Sequence, residues 1–258
     1  MPLPAAMDAV MHAAHIEAMR LVAAAIPGAQ TATLGHWFVY DAGVENPDFN
    51  VAYVTGDPAL AAGELPSVVA WFLGRGADWR FKLRPGFEDA VIASLEGRGL
   101  ELGRREPYLA IDLAELEPPA EHFHIGPVTS RQDLADYESF DATRGRPPEW
   151  SIAGAVMDLP GCTLWVARAA GGEPVARAMS VALLPAATIH NVFVAERYRR
   201  LGWGRAITAV ALLHARAAGC QFGALGASEL GYPVYRAMGF ERRYDLATFA
   251  TTLPPSSG

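Results

Sequence analysis

The order of apolar and polar positions divides the chain into alternating helical and extended segments. Stretches with an apolar period of roughly three to four residues predict amphipathic helices, which cover residues 7–26, 64–74, 87–97, 130–140, 150–158, 203–218 and 230–238. Short apolar runs bounded by Gly, Pro, Asn or Asp predict strands, which cover residues 33–40, 49–55, 78–83, 106–113, 122–128, 162–169, 174–183, 187–194, 221–227 and 243–252. This alternation favours an α/β or α+β fold with a central mixed sheet.

An acidic, proline-bearing segment separates two halves of the chain. Residues 115–121 (Glu-Leu-Glu-Pro-Pro-Ala-Glu) show no apolar period and are interpreted as a linker. Each half ends in a helix, a short corner and a last strand, with Gly-Leu-Glu at 99–101 and Gly-Phe-Glu at 239–241. This faint similarity fits an internal duplication, although any helix–glycine–strand corner would produce it. We therefore predict two domains, residues 1–118 and 119–258.

The composition excludes several classes of protein. The chain has 258 residues, 51% of them hydrophobic, which is sufficient for two packed domains. Its net charge is −7, so the broad basic face that nucleic acids and anionic membranes require is not expected. The two cysteines are too few for a secreted disulfide scaffold. Because a run of about 18 apolar residues is also missing, we expect a cytoplasmic protein that does not cross a membrane.

Candidate chemistry is concentrated in residues 187–206, where an apolar strand leads into a loop and then directly into a helix. Gly202 and Gly204 allow backbone amides to approach a ligand closely. The first N–H groups of the following helix and its dipole favour an anion. Four arginines lie around these glycines, at positions 197, 199, 200 and 205. A pyrophosphate is the anion that this arrangement fits.

Two common nucleotide-binding motifs are excluded. The dinucleotide fingerprint requires a third glycine where this chain has Ile207, and Gly-Lys-Ser/Thr does not occur. Instead, Arg-Arg-Leu-Gly-Trp-Gly at 199–204, with Val194 before it, resembles the acyl-CoA-binding motif of the GNAT N-acyltransferase superfamily. Residues 235–240 (Tyr-Arg-Ala-Met-Gly-Phe) resemble the second signature of that family. Ser228 stands where many members have Asn, which puts one contact with the cofactor arm in doubt.

The resemblance implies two tandem GNAT-like domains, each with a mixed, mostly antiparallel sheet flanked by helices. The first half lacks the Arg-x-x-Gly-x-Gly motif, so it is interpreted as a degenerate copy without cofactor. By resemblance, acetyl-CoA is the acyl donor and the strand at 189–194 splays from its neighbour to hold the cofactor arm. The implied cofactor-binding residues are Val192, Phe193, Val194, Arg199, Arg200, Leu201, Gly202, Trp203, Gly204, Arg205, Ser228 and Tyr235.

Two residues are candidates for proton transfer. The resemblance makes Tyr235 the general acid, whose phenol would protonate the departing thiolate. His190, on the strand that would hold the cofactor, is a candidate general base, because the unperturbed pKa of a histidine suits that role. A helix tyrosine in the core and a structural strand histidine remain the alternatives. By resemblance, six residues fall on the helix and loop that would bind the acyl acceptor, namely Glu138, Asp141, Arg144, Arg146, Glu149 and Trp150. A polar helix face and connecting loop is the simpler interpretation of any single one of them.

These observations favour an N-acetyltransferase that acts on a primary amine of a small molecule by direct attack in a ternary complex. Alternatives are another acyl-CoA or a carrier-protein donor, a protein N-terminus or lysine as acceptor, and a non-catalytic protein that binds CoA or another ligand. We expect no metal, because the pairs His12/His15 and His122/His124 lack a third ligand. No nucleic acid or membrane partner is expected, and a homodimer is left open.

Overall fold

The computed structural model describes residues 3–4, 6–44, 47–76, 78–98, 100, 102–143 and 151–250. Its helices are α1 (Met7–Ala25), α2 (Pro58–Leu73), α3 (Asp89–Glu96), α4 (Arg131–Thr143), α5 (Ala153–Val156), α6 (Trp203–Ala217) and α7 (Tyr232–Ala237). Its strands are β1 (Gln30–Leu34), β2 (Trp37–Asp41), β3 (Asn50–Val54), β4 (Arg80–Leu83), β5 (Leu102–Asp112), β6 (His124–Pro127), β7 (Cys162–Arg168), β8 (Pro174–Leu183), β9 (Ala186–Val194), β10 (Phe222–Gly226) and β11 (Glu241–Ala250).

The chain folds into two compact units that each draw on both ends of the sequence. The larger unit combines residues up to Ala18 with Tyr108–Arg243, and the smaller unit combines Met19–Pro107 with the residues from Tyr244 onward. These bounds differ from a linear division at residue 118. A sheet partner can come from a distant part of the chain, which a composition shift in the sequence does not reveal.

In the larger unit the strand order is β5-β10-β9-β8-β7-β6, and only β9 and β10 run parallel. Residues 108–112 of β5 supply the strand next to β10. The amphipathic helix α6 packs its apolar face on this sheet. Its core includes side chains from β5, β9, β10 and α6, namely Leu109, Ile111, Ile189, Leu225, Ile207 and Leu212.

The smaller unit has the order β1-β2-β3-β4-β11, and only β3 and β4 run parallel. Its core packs aromatic and aliphatic side chains of the sheet on α2 and α3, and Trp37 and Phe81 are fully buried. The predicted fold class is confirmed, since helices flank mixed and mostly antiparallel strands. None of the helices in the described residues is both long and apolar enough to cross a membrane.

Two predicted element bounds are wrong for identifiable reasons. The strand predicted over 33–40 is interrupted by a turn at Gly35, whose φ of +57° favours glycine. The helix predicted from residue 64 begins at Pro58, because the Asp57 carboxylate caps its first turn by accepting hydrogen bonds from the N–H groups of Ala59 and Leu60 at 2.8 and 3.2 Å. Gly63 and Pro66 lie inside this helix, and both residues are uncommon in helix interiors, so the apolar period does not predict its first turns.

Candidate active site

Strand β9 separates from its parallel neighbour β10 before it ends. The last residue pair between them is Ile189 with Leu225, while β9 continues to Val194. Beyond that pair, the backbone N–H and C=O groups on the β10 side of β9 form no strand pairing with β10. Exposed strand groups can bind an extended ligand as an added strand. The part of β9 beyond the last pair contains three predicted cofactor-binding residues, Val192, Phe193 and Val194.

A bulge in β9 accompanies this separation. The register between β8 and β9 shifts between Arg177 and Met179, and Asn191 has a φ of 53°. Bulges redirect a strand and are common beside active sites. Nothing in the local sequence marks Asn191, because a bulge depends on how two strands pair.

Helix α6 begins without a side-chain cap. Gly202 occupies the N-cap position with φ 88° and ψ −7°, and its carbonyl accepts the hydrogen bond of the Ala206 N–H at 2.9 Å. Arg200, two residues earlier, also has a positive φ of 63°. The first N–H groups of a helix have no intrahelical acceptors, and the helix dipole adds partial positive charge there. The predicted anion site therefore lies at an uncapped helix N-terminus.

Close packing restricts Gly202 more than Gly204. A Cβ on Gly202 would lie 3.1 Å from Cζ of Phe123, and a Cβ on Gly204 would lie 3.5 Å from Cγ2 of Val194. Phe123 also meets Trp203 edge to face, with 4.8 Å between ring centroids. The Trp203 side chain is thus part of the core beneath the loop. Phe123 lies far from the motif in sequence, so no local signal connects it with the loop.

The arginines of the loop differ in their partners. Arg197 forms an ion pair with Glu173. Arg199 donates from Nε to the Val194 carbonyl at 3.3 Å. Arg200 and Arg205 are exposed, and the described residues provide neither of them with an ion-pair partner. Two exposed cationic side chains therefore lie near this helix end, and Leu201 between them is 61% exposed.

Tyr235 lies on α7 and is 7% exposed. Its ring stands so close to Gly231 that a Cβ there would lie 2.9 Å from Cε2 of the tyrosine. Burial raises the pKa of Tyr235 to about 12, against a smaller lowering by the nearby Thr208 of α6. The phenol therefore keeps its proton at neutral pH and can act as a proton donor.

Three features follow one another in the sequence of this part of the chain. They are a strand that continues beyond its last pair with β10, two exposed arginines and an uncapped helix N-terminus. The family model of the acetyltransferase (GNAT) domain matches residues 160–242, which contain all of these features. Residues 160–242 are a GNAT acetyltransferase domain.

Solved structures extend the similarity of fold beyond this GNAT domain. A GCN5-related N-acetyltransferase from Kribbella flavida is 18% identical, with a TM-score of 0.70 over 92% of this chain and 95% of that chain. Another from Sphaerobacter thermophilus is 16% identical, with a TM-score of 0.63 over 87% and 83%. A tandem GNAT protein from the clavulanic acid biosynthesis pathway is 12% identical, with a TM-score of 0.62 over 89% and 85%. No curated protein matches the sequence.

Ser228 has a local structural role in the GNAT domain. Its hydroxyl accepts a hydrogen bond from the Gly231 N–H at 3.2 Å, and its carbonyl accepts one from the Tyr232 N–H at 2.8 Å. These contacts shape the turn that leads into α7. Whether Ser228 also contacts a cofactor arm stays a prediction.

His190 stands directly after the last residue pair of β9 with β10. Its Nε2 lies 2.8 Å from Oγ1 of Thr188, and its side chain is half-buried. Successive strand residues face opposite sides of a sheet. Ile189 packs in the core with α6, so His190 faces the other side, where its ring meets that of His15 on α1. Tyr235 belongs to the core on the α6 side, so the two candidates for proton transfer approach from opposite faces.

Helix α4 is fixed to the sheet of the GNAT domain by a buried ion pair. Arg177, which is 2% exposed, donates to both Asp141 carboxylate oxygens at 2.7 and 2.5 Å. Glu138 accepts a hydrogen bond from the Ser151 hydroxyl at 2.8 Å. Asp141 and Glu138, two of the candidates for binding the acyl acceptor, therefore have partners within the protein. The other four, Arg144, Arg146, Glu149 and Trp150, lie outside the described residues.

The remaining histidines and cysteines do not assemble into a metal centre in the described part of the chain, where no group of three suitable ligands occurs. His12 and His15 are buried on α1, whereas His122 and His124 are exposed on either side of Phe123. Cys162 and Cys220 are free and buried.

Proposed function

We propose that the GNAT domain is an N-acetyltransferase that moves an acetyl group from acetyl-CoA to a primary amine of a small molecule. The observation that carries this proposal is the continuity of three features within one segment. The end of β9, beyond its last pair with β10, leads through exposed arginines to an uncapped helix N-terminus. A buried, protonated tyrosine on α7 adds an acid to this arrangement.

The donor would be held mainly by backbone groups. The strand from Val192 to Val194 offers N–H and C=O groups to an extended arm. The N–H groups at the start of α6, together with the side chains of Arg200 and Arg205, would hold the pyrophosphate. Bound acetyl-CoA supplies an acetyl group that is already activated as a thioester.

Tyr235 would act as the general acid. When an amine displaces a thiolate, the sulfur needs a proton, and a phenol can deliver it. Because the pKa of Tyr235 is about 12, the proton is present throughout the neutral range. The position of this residue against Gly231 restricts its ring, which favours a fixed direction of proton transfer.

His190 would accept the proton that the attacking amine loses. Its imidazole lies at the point where β9 leaves β10, so it is close to the strand that would hold the donor. The Thr188 hydroxyl bonds Nε2 and so limits rotation of the ring. The acceptor amine would thus be deprotonated on one face of the sheet while Tyr235 protonates the leaving sulfur from the other.

The two cysteines are protonated at neutral pH, which favours direct transfer over a covalent acyl-enzyme. Burial raises the pKa of the Cys162 thiol to about 11 and also raises that of Cys220. Neither thiol is therefore ionised at neutral pH, and the thiolate is the reactive form. A small cationic amine suits the acceptor role, because the chain carries a net charge of −7 that attracts it.

The experiment that tests this function combines thermal unfolding with a thiol-release assay. We expect millimolar acetyl-CoA to raise the melting temperature, because a ligand that binds only the folded state stabilises it. We also expect free CoA thiol to form with at least one member of a panel of primary amines. An unchanged melting temperature contradicts donor binding, whereas a shift without thiol release for any amine, peptide or protein acceptor favours a binding protein.

A further inference from the structure

The N-terminal helix brings a second histidine to His190. His15 lies on the part of α1 that belongs to the larger unit and is 7% exposed. Its ring centroid lies 5.7 Å from that of His190, with 32° between the ring planes. It also meets Tyr108 of β5 at 5.4 Å, nearly edge to face at 76°. His15 therefore contacts both a fully buried tyrosine and the candidate base.

The location of this contact gives it chemical meaning. Thr188 and His190 are on the face of β9 opposite to α6, and the pairing of β9 with β10 stops between them at Ile189. Beyond Ile189, β9 has no pairing with β10 that would help to fix its side chains. His15, in the segment before residue 19, contacts the His190 ring at this point, although it is far from the GNAT motif in sequence.

We propose that His15 is a positioning residue for His190: its ring packs against the His190 imidazole and holds the orientation in which Nε2 bonds Thr188. This rests on the proposed function of His190 as the base. The terminal torsion of a histidine side chain has a broad energy profile, so one hydrogen bond alone restricts the ring weakly. A second ring against it removes the space into which it would rotate.

Through His15, α1 would act on the orientation of the proposed base. Rotation of the His190 ring would exchange its two nitrogens relative to the acceptor. A base whose nitrogen is misplaced by about 1 Å can lose up to roughly a hundredfold in rate. The N-terminal segment of the chain, which carries no part of the GNAT motif, would thereby set the geometry of proton removal.

Three variants test the role of His15. His15→Ala removes the ring, His15→Phe keeps a ring of similar shape without its nitrogens, and His12→Ala is the matched control. His12 lies on the same helix and has the same 7% exposure, so its replacement leaves a comparable gap in the packing. Thermal unfolding of all three proteins reports whether the stability losses are alike.

We expect His15→Ala to lower kcat by about tenfold or more, with the KM for acetyl-CoA unchanged. His15→Phe should restore kcat to within about threefold of the unaltered chain, and His12→Ala should retain it. Nitrogen NMR shifts of the His190 imidazole, measured on the protein without acetyl-CoA, should show a changed tautomer ratio in His15→Ala only.

The NMR measurement separates the two proposals. If the unaltered protein releases no thiol, the proposed function fails, yet the His190 shifts still report whether His15 orients the ring. Unchanged shifts in His15→Ala, equal effects of His12→Ala, or failure of His15→Phe to restore the wild-type spectrum would each overturn the positioning role. A normal kcat in an active His15→Ala protein would overturn it as well.

Discussion

At the scale of single residues, the candidate site depends on glycines and on one phenol. Gly202 has a φ of +88° and lies against the Phe123 ring, so both its backbone conformation and its lack of a Cβ are needed. Gly204 lacks the positive φ and has only an ordinary contact distance to Val194. The two glycines of the motif therefore have different physical requirements.

We expect Gly202→Ala to destabilise the protein by roughly 1–2 kcal/mol, because a left-handed conformation is costly for alanine. The same change should reduce the rise in melting temperature that acetyl-CoA causes, since the helix N-terminus would shift. Thermal unfolding with and without acetyl-CoA measures both effects. Gly204→Ala is the comparison, and a stability loss equal to that of Gly202→Ala would contradict the argument.

Tyr235→Phe should lower kcat by about 10²–10⁴-fold, the usual contribution of a general acid. The melting-temperature rise with acetyl-CoA should persist, because the ring and its packing remain. With a pKa of about 12, the Tyr235 proton is not lost below that pH, so no decline in rate between pH 7 and pH 10 should come from this residue. A steady-state pH profile checks this; unchanged kcat in the variant excludes the acid role.

At the scale of elements, the start of α4 is fixed by a network of side chains. The Asp133 carboxylate accepts hydrogen bonds from the Ser130 hydroxyl at 2.7 Å and from Arg168 Nη2 at 2.7 Å. Arg168 also donates to Asp136 at 2.6 Å, which ties α4 to β7. These bonds, led by the one from Ser130, lower the pKa of Asp133 from 3.8 to about 2.

This lowered pKa makes stability depend on pH in a known direction. The contribution of Asp133 is complete above pH 4 and is lost as the pH falls through about 2, because the unfolded chain binds the proton first. Asp133→Asn should therefore be less stable at pH 7 and should show a flatter loss of unfolding free energy between pH 4 and pH 2. Urea unfolding across that range measures it. The Asp136→Asn variant keeps the hydrogen bonds between Asp133 and Ser130. Its unfolding free energy should therefore fall more steeply between pH 4 and pH 2 than that of Asp133→Asn.

At the scale of the whole molecule, each compact unit includes a terminal strand or helix from the other half of the sequence. Residues 108–112 supply the neighbour of β10 in the larger unit, and residues 247–250 supply that of β4 in the smaller one. Both units share a plan of antiparallel strands, one parallel pair and a closing antiparallel strand. Whether this common plan reflects an internal duplication stays a prediction.

A fragment of residues 119–258 should consequently fold poorly, because it lacks the strand that pairs with β10 and exposes a sheet edge. We expect it to aggregate, and a fragment that begins at Tyr108 to be more soluble. Soluble yield and the sharpness of thermal unfolding compare the two. A monomeric, cooperatively unfolding 119–258 fragment would show that this strand is dispensable.

Much of the site could be predicted from the sequence because its chemistry is local. The spacing of Gly202, Gly204 and the arginines identifies a helix start with an anion site, and Tyr235 follows at the interval of one strand and one helix turn. Contacts of Phe123 with the loop could not be predicted, since the side chains meet across about 80 residues of chain. The same holds for the ring contact of His15 with His190.

The sequence by itself determined the alternating elements, the loop that opens α6 and the family of residues 160–242, because these depend on periodicity and on short motifs. Only the tertiary structure decided where β9 leaves β10, which distant residues support the loop and which ends of the chain complete each unit. Hydrogen-bonded pairing and side-chain packing join residues that are far apart in the chain. Such contacts leave no period or motif in the sequence around either partner.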